Sequence, residues 1–230
     1  MTGHGWCFVG LLALSLSACV RVSDDDGSGL NRNAAAAADA AAEDPELQAA
    51  TDPAGTPHDA FLAALASHCG QAFAGRVVAN EPEPAGPDPF EGRRLVMHVS
   101  GCEDPERELR IPFHVGEDRS RTWVVTRTYR GLRLRHDHRH EDGSPDRVTM
   151  YGGETRARGT AVRQEFPVDE HSIALFRREG LEESLTNTWA LEVEPGRRFL
   201  YELSRPGGRL FQVEFDLSRP VEPPPPPWGH

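Results

Sequence analysis

The stretch Gly131-Leu-Arg-Leu-Arg-His-Asp-His-Arg-His-Glu-Asp-Gly143 decides how this chain is read. Its residues alternate in twos, and successive side chains of a strand point to opposite sides of the pleat. Leu132, Leu134, His136, His138 and His140 then share one face, while Arg133, Arg135, Asp137, Arg139 and Glu141 take the other. The first face begins apolar and ends in imidazoles. That gradient is expected of a core that opens into a polar pocket or rim.

Moving outward, the same period of two predicts strands near 73–79, 93–100, 108–115, 120–129, 132–140, 147–151, 160–166, 184–194, 198–204 and 209–217. Leu109, Ile111, Phe113 and Val115 alternate with polar neighbours, as do Phe211, Val213, Phe215 and Leu217. One wet face and one dry face is the antiparallel signature. Helical spacing appears twice, over 58–67 behind Thr56-Pro57 and over 168–178 behind Asp169. Turn signals at 103–105, 130–131, 142–145, 195–196 and 206–208 impose sequential hairpins. About ten meandering strands would leave two open edges, an aggregation hazard, unless the sheet closes on itself. The expected fold is therefore mainly β: an antiparallel up-and-down β-barrel with two short helices, and a two-sheet β-sandwich as the alternative. In architecture this resembles the calycin and lipocalin-like folds. The Gly-x-Trp start of those proteins is missing, so no functional residue carries over.

The net charge is −11, and residues 19–57 hold two Arg against eight acids, or −6, which leaves −5 for the remainder. All 25 basic residues are Arg, scattered rather than gathered into the basic face that nucleic-acid binding needs. No nucleic-acid partner is expected. Residues 20–57 are rich in Ala, Asp, Gly, Ser and Pro and cannot bury enough apolar surface to offset their ordering entropy. They read as a disordered tether with a reach of roughly 35 Å. The prolines at 223–227 read as an extended, solvated tail. The chain thus divides into a signal (1–18), a lipidated cysteine and tether (19–57), one β-rich domain (58–218) and a Pro-rich disordered tail (219–230).

Residues 1–18 carry no charged side chain, and the apolar run 8–16 is too short to span a bilayer, so the segment reads as a secretory signal. It ends in Leu16-Ser17-Ala18-Cys19, which resembles the lipobox of bacterial lipoproteins. The resemblance covers these four positions and the run before them. It departs from the family pattern in offering only His4 and the terminal amine where Lys or Arg is usual. It implies that Cys19 opens the mature chain and carries the lipid, palmitate included, so that several acyl chains hold the protein at the membrane. Val20 in place of Asp implies the outer membrane, facing the periplasm. A plain secreted protein is the alternative. The region from about 70 to 215 also looks similar to uncharacterised secreted proteins of proteobacteria, a likeness that implies no activity.

In such an oxidising compartment cysteines pair. Cys7 leaves with the signal and Cys19 takes the lipid, so Cys69 and Cys102 remain as a structural disulfide; no Cys-x-x-Cys suggests a redox role.

A two-residue turn at Arg130-Gly131 would pair Tyr129 with Leu132, Arg127 with Leu134, Val125 with His136, Trp123 with His138 and Arg121 with His140. Trp123, Arg127, Tyr129, His136 and His138 would then line one inward surface, suited to a small anionic or amphipathic ligand. Arg127, if inward, needs an acid, with Glu165 and Glu154 as candidates. The bland alternative leaves these groups hydrated at a barrel mouth. His136, His138 and His140 also raise the reading of a divalent metal such as zinc. His-x-His on a strand sets two imidazoles about 7 Å apart, whereas His136 and His140 stand roughly 13 Å apart. The other ligands would come from His98, His114 or nearby acids, with Asp137, Asp142 and Asp146 orienting the rings. No Gly-x-Ser-x-Gly, phosphate-loop or His-Glu-x-x-His motif is present. The leading expectation is a monomeric, lipid-anchored envelope protein whose barrel binds a small ligand or an envelope protein without catalysis. Alternatives are a metal-binding protein or metal-dependent enzyme, and a structural protein of the envelope.

Overall fold

The computed structural model describes residues 55–83 and 86–230; the signal, Cys19 and most of the tether lie outside the described residues. Eleven strands form one antiparallel sheet: β1 (Ala72–Glu81), β2 (Leu95–His98), β3 (Gly101–Asp104), β4 (Glu108–Val115), β5 (Asp118–Arg127), β6 (Leu132–His138), β7 (Tyr151–Glu154), β8 (Arg163–Pro167), β9 (Thr188–Glu194), β10 (Arg198–Arg205) and β11 (Arg209–Val221). Helices α1 (Pro57–Ala66) and α2 (Glu170–Arg178) flank it, and a 3-10 turn covers Glu182–Thr186. The order β7-β6-β5-β4-β2-β1-β11-β10-β9-β8, with β3 beside β4, is an up-and-down meander that nearly closes into a barrel. The two ends of the meander meet along the β1–β11 ladder, Ala72 opposite Val221.

The seam falls instead between β7 and β8; among the described residues a single bridge crosses it, from Gly153 to Val168 just past the end of β8. There the start of α2 stands in for a ladder. The Gly152 N–H donates to Ser172 Oγ (2.7 Å), and the Asp169 N–H donates to Gly152 O (3.3 Å). Asp169 also caps α2 and holds Arg135 at 2.6 Å. Residues 147–150, expected as strand, form bends, because Asp146 draws the Val148 N–H into a local turn (2.7 Å). Residues 184–187 likewise coil into the 3-10 turn before β9, and β3 arises where a plain turn was expected.

The parity pattern sorts as expected. Leu109, Ile111, Val125, Leu134, Val193, Phe199, Val213 and Phe215 are fully buried in one core. Outside, Arg163 bridges Glu192 (2.7 Å) and Glu202 (2.8 Å) across neighbouring strands. Helix α1 closes one end of the barrel with Phe61, Leu62 and Leu65. It begins there because Thr56 and Asp59 cap it reciprocally and Pro57 fits its first turn. The segment after α1 is tied to β3 by the Cys69–Cys102 disulfide, Cα atoms 6.1 Å apart.

The tail is not a solvated end. Strand β11 runs on to Val221, and the prolines continue across the outer face of β4 to β6. The Trp228 N–H donates to Arg119 O (3.1 Å), Arg119 donates to Pro226 O (3.1 Å), and the His230 ring meets Asp137 at 3.1 Å. A polyproline chain has little conformational freedom to lose on docking, and β11 delivers it already extended. Asp137 and Thr122 are each only 3% exposed on this face, where sequence alone expects water.

Candidate ligand-binding site

The barrel end away from α1 opens into a pocket of about 190 Å³. Its position follows from register. The β5–β6 turn is Tyr129-Arg130, with Thr128 and Gly131 hydrogen-bonded to each other, so Arg127 pairs with Leu132, Val125 with Leu134, Trp123 with His136 and Arg121 with His138. Moving the turn back by one residue keeps every side chain on its expected face but slides each partner by two. Trp123, His136 and His138 are therefore brought together as expected, and Arg121 joins them.

Arg127 and Tyr129 are not part of this pocket. Arg127 lies at the α1 end, where its Nε donates to Asp59 (2.5 Å) and its Nη1 to the carbonyls of Thr128 (2.5 Å) and Gly131 (2.9 Å). Its acid comes from the helix cap rather than from Glu165 or Glu154, which pair with Arg163 and Arg133. Tyr129, at the tip of the turn, is 89% exposed.

The pocket wall is an aromatic pile. Phe90, from the β1–β2 connection, stacks on Phe113, Phe113 on Trp123 (4.9 Å, 14°) and Trp123 on Tyr201 (4.6 Å, 15°). Across from it His136 stacks on Tyr151 (4.7 Å, 11°). Among the lining residues that sequence reasoning missed are Tyr151, Tyr201, Phe211 and Arg209. Tyr201, Phe211 and Arg209 all carry dry-face parity in their strands, and a charge on that parity, as at Arg209, is the legible signal. Which barrel end each reaches depends on register.

His136 is spoken for on both ring nitrogens. Tyr151 O, which can only accept, faces Nδ1 at 3.2 Å, so Nδ1 carries the proton and Nε2 accepts from the Tyr201 hydroxyl at 2.9 Å. Burial, reinforced by neighbouring His138, pushes its pKa down to about 3. His138, whose Nε2 meets the Tyr151 hydroxyl at 3.2 Å, is held down at about 4 by burial and by Arg121. Burial also raises Tyr151 to about 12 and Tyr201 well above its ordinary value. At neutral pH the pocket thus offers neutral imidazoles, neutral phenols and two guanidiniums. Arg121 is neutralised by Asp118 at 2.5 Å.

The histidine trio does not converge. His140 sits in an exposed turn beside Asp146 (3.9 Å), and Asp137 faces outward to Arg139 (3.2 Å) and His230. His98 lies on the outer face, lining the cleft under the tail, and His114, from the outward parity of β4, is buried without meeting the trio. Among the described residues no group of three or more His, Cys, Asp or Glu side chains is placed to hold a metal ion. The strand rise keeps His136 and His140 apart, and both nitrogens of His136 are already committed.

A larger cleft, about 540 Å³, lies between the tail and the outer face. Its walls mix Glu103 with Arg110 and His98, and the chain's own prolines form one side. The inner pocket has the convergent chemistry and the outer cleft does not. Comparison of this chain with protein families, with curated proteins and with solved structures finds no match.

Proposed function

We propose that this protein is a lipid-anchored component of the bacterial envelope whose barrel holds a small, ring-sized ligand in its open end and performs no chemistry on it. The observation that carries the reading is the pocket itself. Drug-sized ligands occupy about 300–1,000 Å³, whereas an apolar cavity of about 150 Å³ takes a benzene ring. A pocket of about 190 Å³ therefore suits one planar ring with a small substituent. Phe113, Trp123 and Tyr201, stacked on one another, turn their ring edges to it, and an edge-to-face aromatic pair contributes about 0.5–1.5 kcal/mol beyond burial. His138 and Tyr151 supply polar handles. Binding without turnover is favoured because among the described residues no carboxylate, serine or thiol lines the pocket, and because the nitrogens of His136 are committed. The anchor rests on Leu16-Ser17-Ala18-Cys19, and the outer membrane on Val20.

Ligand-observed NMR with benzyl alcohol tests the pocket. Saturable one-to-one binding is expected in the wild type and none in Leu203→Trp, whose indole would fill the space. Identical signals from both proteins would sink the reading. Palmitate labelling of the expressed precursor tests the anchor: label is expected in the wild type and none in Cys19→Ser, and an unlabelled wild type ends that part of the proposal.

A further inference from the structure

The two guanidiniums at the pocket differ in one respect. Arg121 has Asp118 against it, but Arg209 has no carboxylate within ion-pair distance among the described residues. Its Nη1 donates to Asn80 Oδ1 (2.7 Å) and to the Glu81 carbonyl (3.2 Å), both neutral acceptors. Its Nε–Nη2 edge makes no hydrogen bond among the described residues. Asp88, whose charge acts on Arg209 from beyond contact, accepts from the Asn80 amide (2.9 Å) and the Phe90 N–H (2.8 Å). Arg205, the other charge nearby, is turned to Asn187 and Glu183. Asn80 and Asp88 thus form a brace that steadies Arg209, and Asp88, beyond ion-pair distance, offsets only part of its charge. The guanidinium is half-buried and packs over the Phe211 ring at 5.6 Å, at the end of the aromatic pile.

Resting on the reading of the pocket given above, we infer that the ligand is a monocyclic aromatic acid: its ring lies against the edges of Trp123 and Phe113, and its carboxylate meets the open edge of Arg209. The Nε–Nη2 fork matches the two oxygens of a carboxylate. A guanidinium with no carboxylate in contact calls for one negative charge, and the pocket volume leaves room for little beyond a ring and that group.

Titration of the whole chain at neutral pH with benzoate and with benzyl alcohol as probes tests this. Wild type is expected to prefer benzoate by on the order of tenfold, since a hydrogen bond to a charged group is worth that factor or more. Arg209→Gln should abolish the preference, bringing the two affinities to about the same value whatever the variant's affinity for benzyl alcohol. Arg209→Lys should restore part of it. Intact benzyl alcohol binding in Arg209→Gln also shows that the Asn80 brace has not collapsed. If that binding is lost, Asn80→Ala decides: with Arg209 kept but less firmly held, a reduced benzoate preference supports the assignment and an unchanged one overturns it. Equal affinity for the two probes in the wild type overturns the acid while leaving the pocket standing. No binding of either probe removes the pocket reading and this inference together. A benzoate preference that survives in Arg209→Gln overturns the role of Arg209.

Discussion

At the scale of the residue, His136 shows how burial turns into pH dependence. The unfolded chain takes up a proton near 6.5, the folded protein only near 3, because burial disfavours the imidazolium. Between those values the unfolded state binds the extra proton, so stability is complete above about pH 6.5 and declines as pH falls toward 3. One such group costs about 1.4 kcal/mol per pH unit within the window. His138 and His114, each lowered to about 4, add to the slope. Asp59, held at about 2 by its bonds to Arg127 and Thr56 against the opposing effect of burial, adds a further loss of stability as pH falls from 3.8 toward 2. Urea unfolding at pH 6, 5 and 4 should therefore show a shallower decline in His136→Gln than in the wild type, whatever the variant's stability at neutral pH. The side of the sheet that His136 occupies was legible from parity. Its partner Tyr201, 65 residues away, was not, since only the packed barrel brings β6 opposite β10.

At the scale of the element, β7 is the weak point of the barrel. A Cβ on Gly153 would lie 2.1 Å from the Pro167 carbonyl, and one on Gly152 would lie 1.9 Å from the Leu134 carbonyl. Both contacts are with backbone, which cannot swing aside. Gly153→Ala should push β7 off β8 where the Gly153–Val168 bridge crosses the seam, at a cost of about 1–3 kcal/mol, the usual range for overpacking. Faster amide exchange in β7 and β8, with β1 and β11 unchanged, is the signature to look for. The two glycines sit where backbone passes close on both sides, Leu134 of β6 against Gly152 and Pro167 of β8 against Gly153. The β5–β6 hairpin carries the same lesson. Parity there survived the misplacement of the turn by one residue, and the cross-strand partners did not, because register is set by turn geometry.

At the scale of the whole molecule, the Cys69–Cys102 link joins the α1 end of the barrel to β3 and constrains the unfolded chain across the whole of β1 and β2. The double variant Cys69→Ser/Cys102→Ser is expected to lose about 2–4 kcal/mol in urea unfolding, and reductant should weaken the wild type while leaving the variant unaffected. By itself the sequence determined the sorting of side chains into a dry face and a wet one, the two helices with their caps, the pairing of the cysteines and the closure of the meander into a barrel. These follow from local periodicity, from counting and from the cost of open strand edges. Only the tertiary structure decided which barrel end α1 plugs, where the seam falls, that the tail covers the outer face of β4 to β6, and that Arg209 rather than Arg127 stands at the pocket. Each of those depends on contacts between segments far apart in the chain, and a period of two says which side a residue faces but nothing of what waits there.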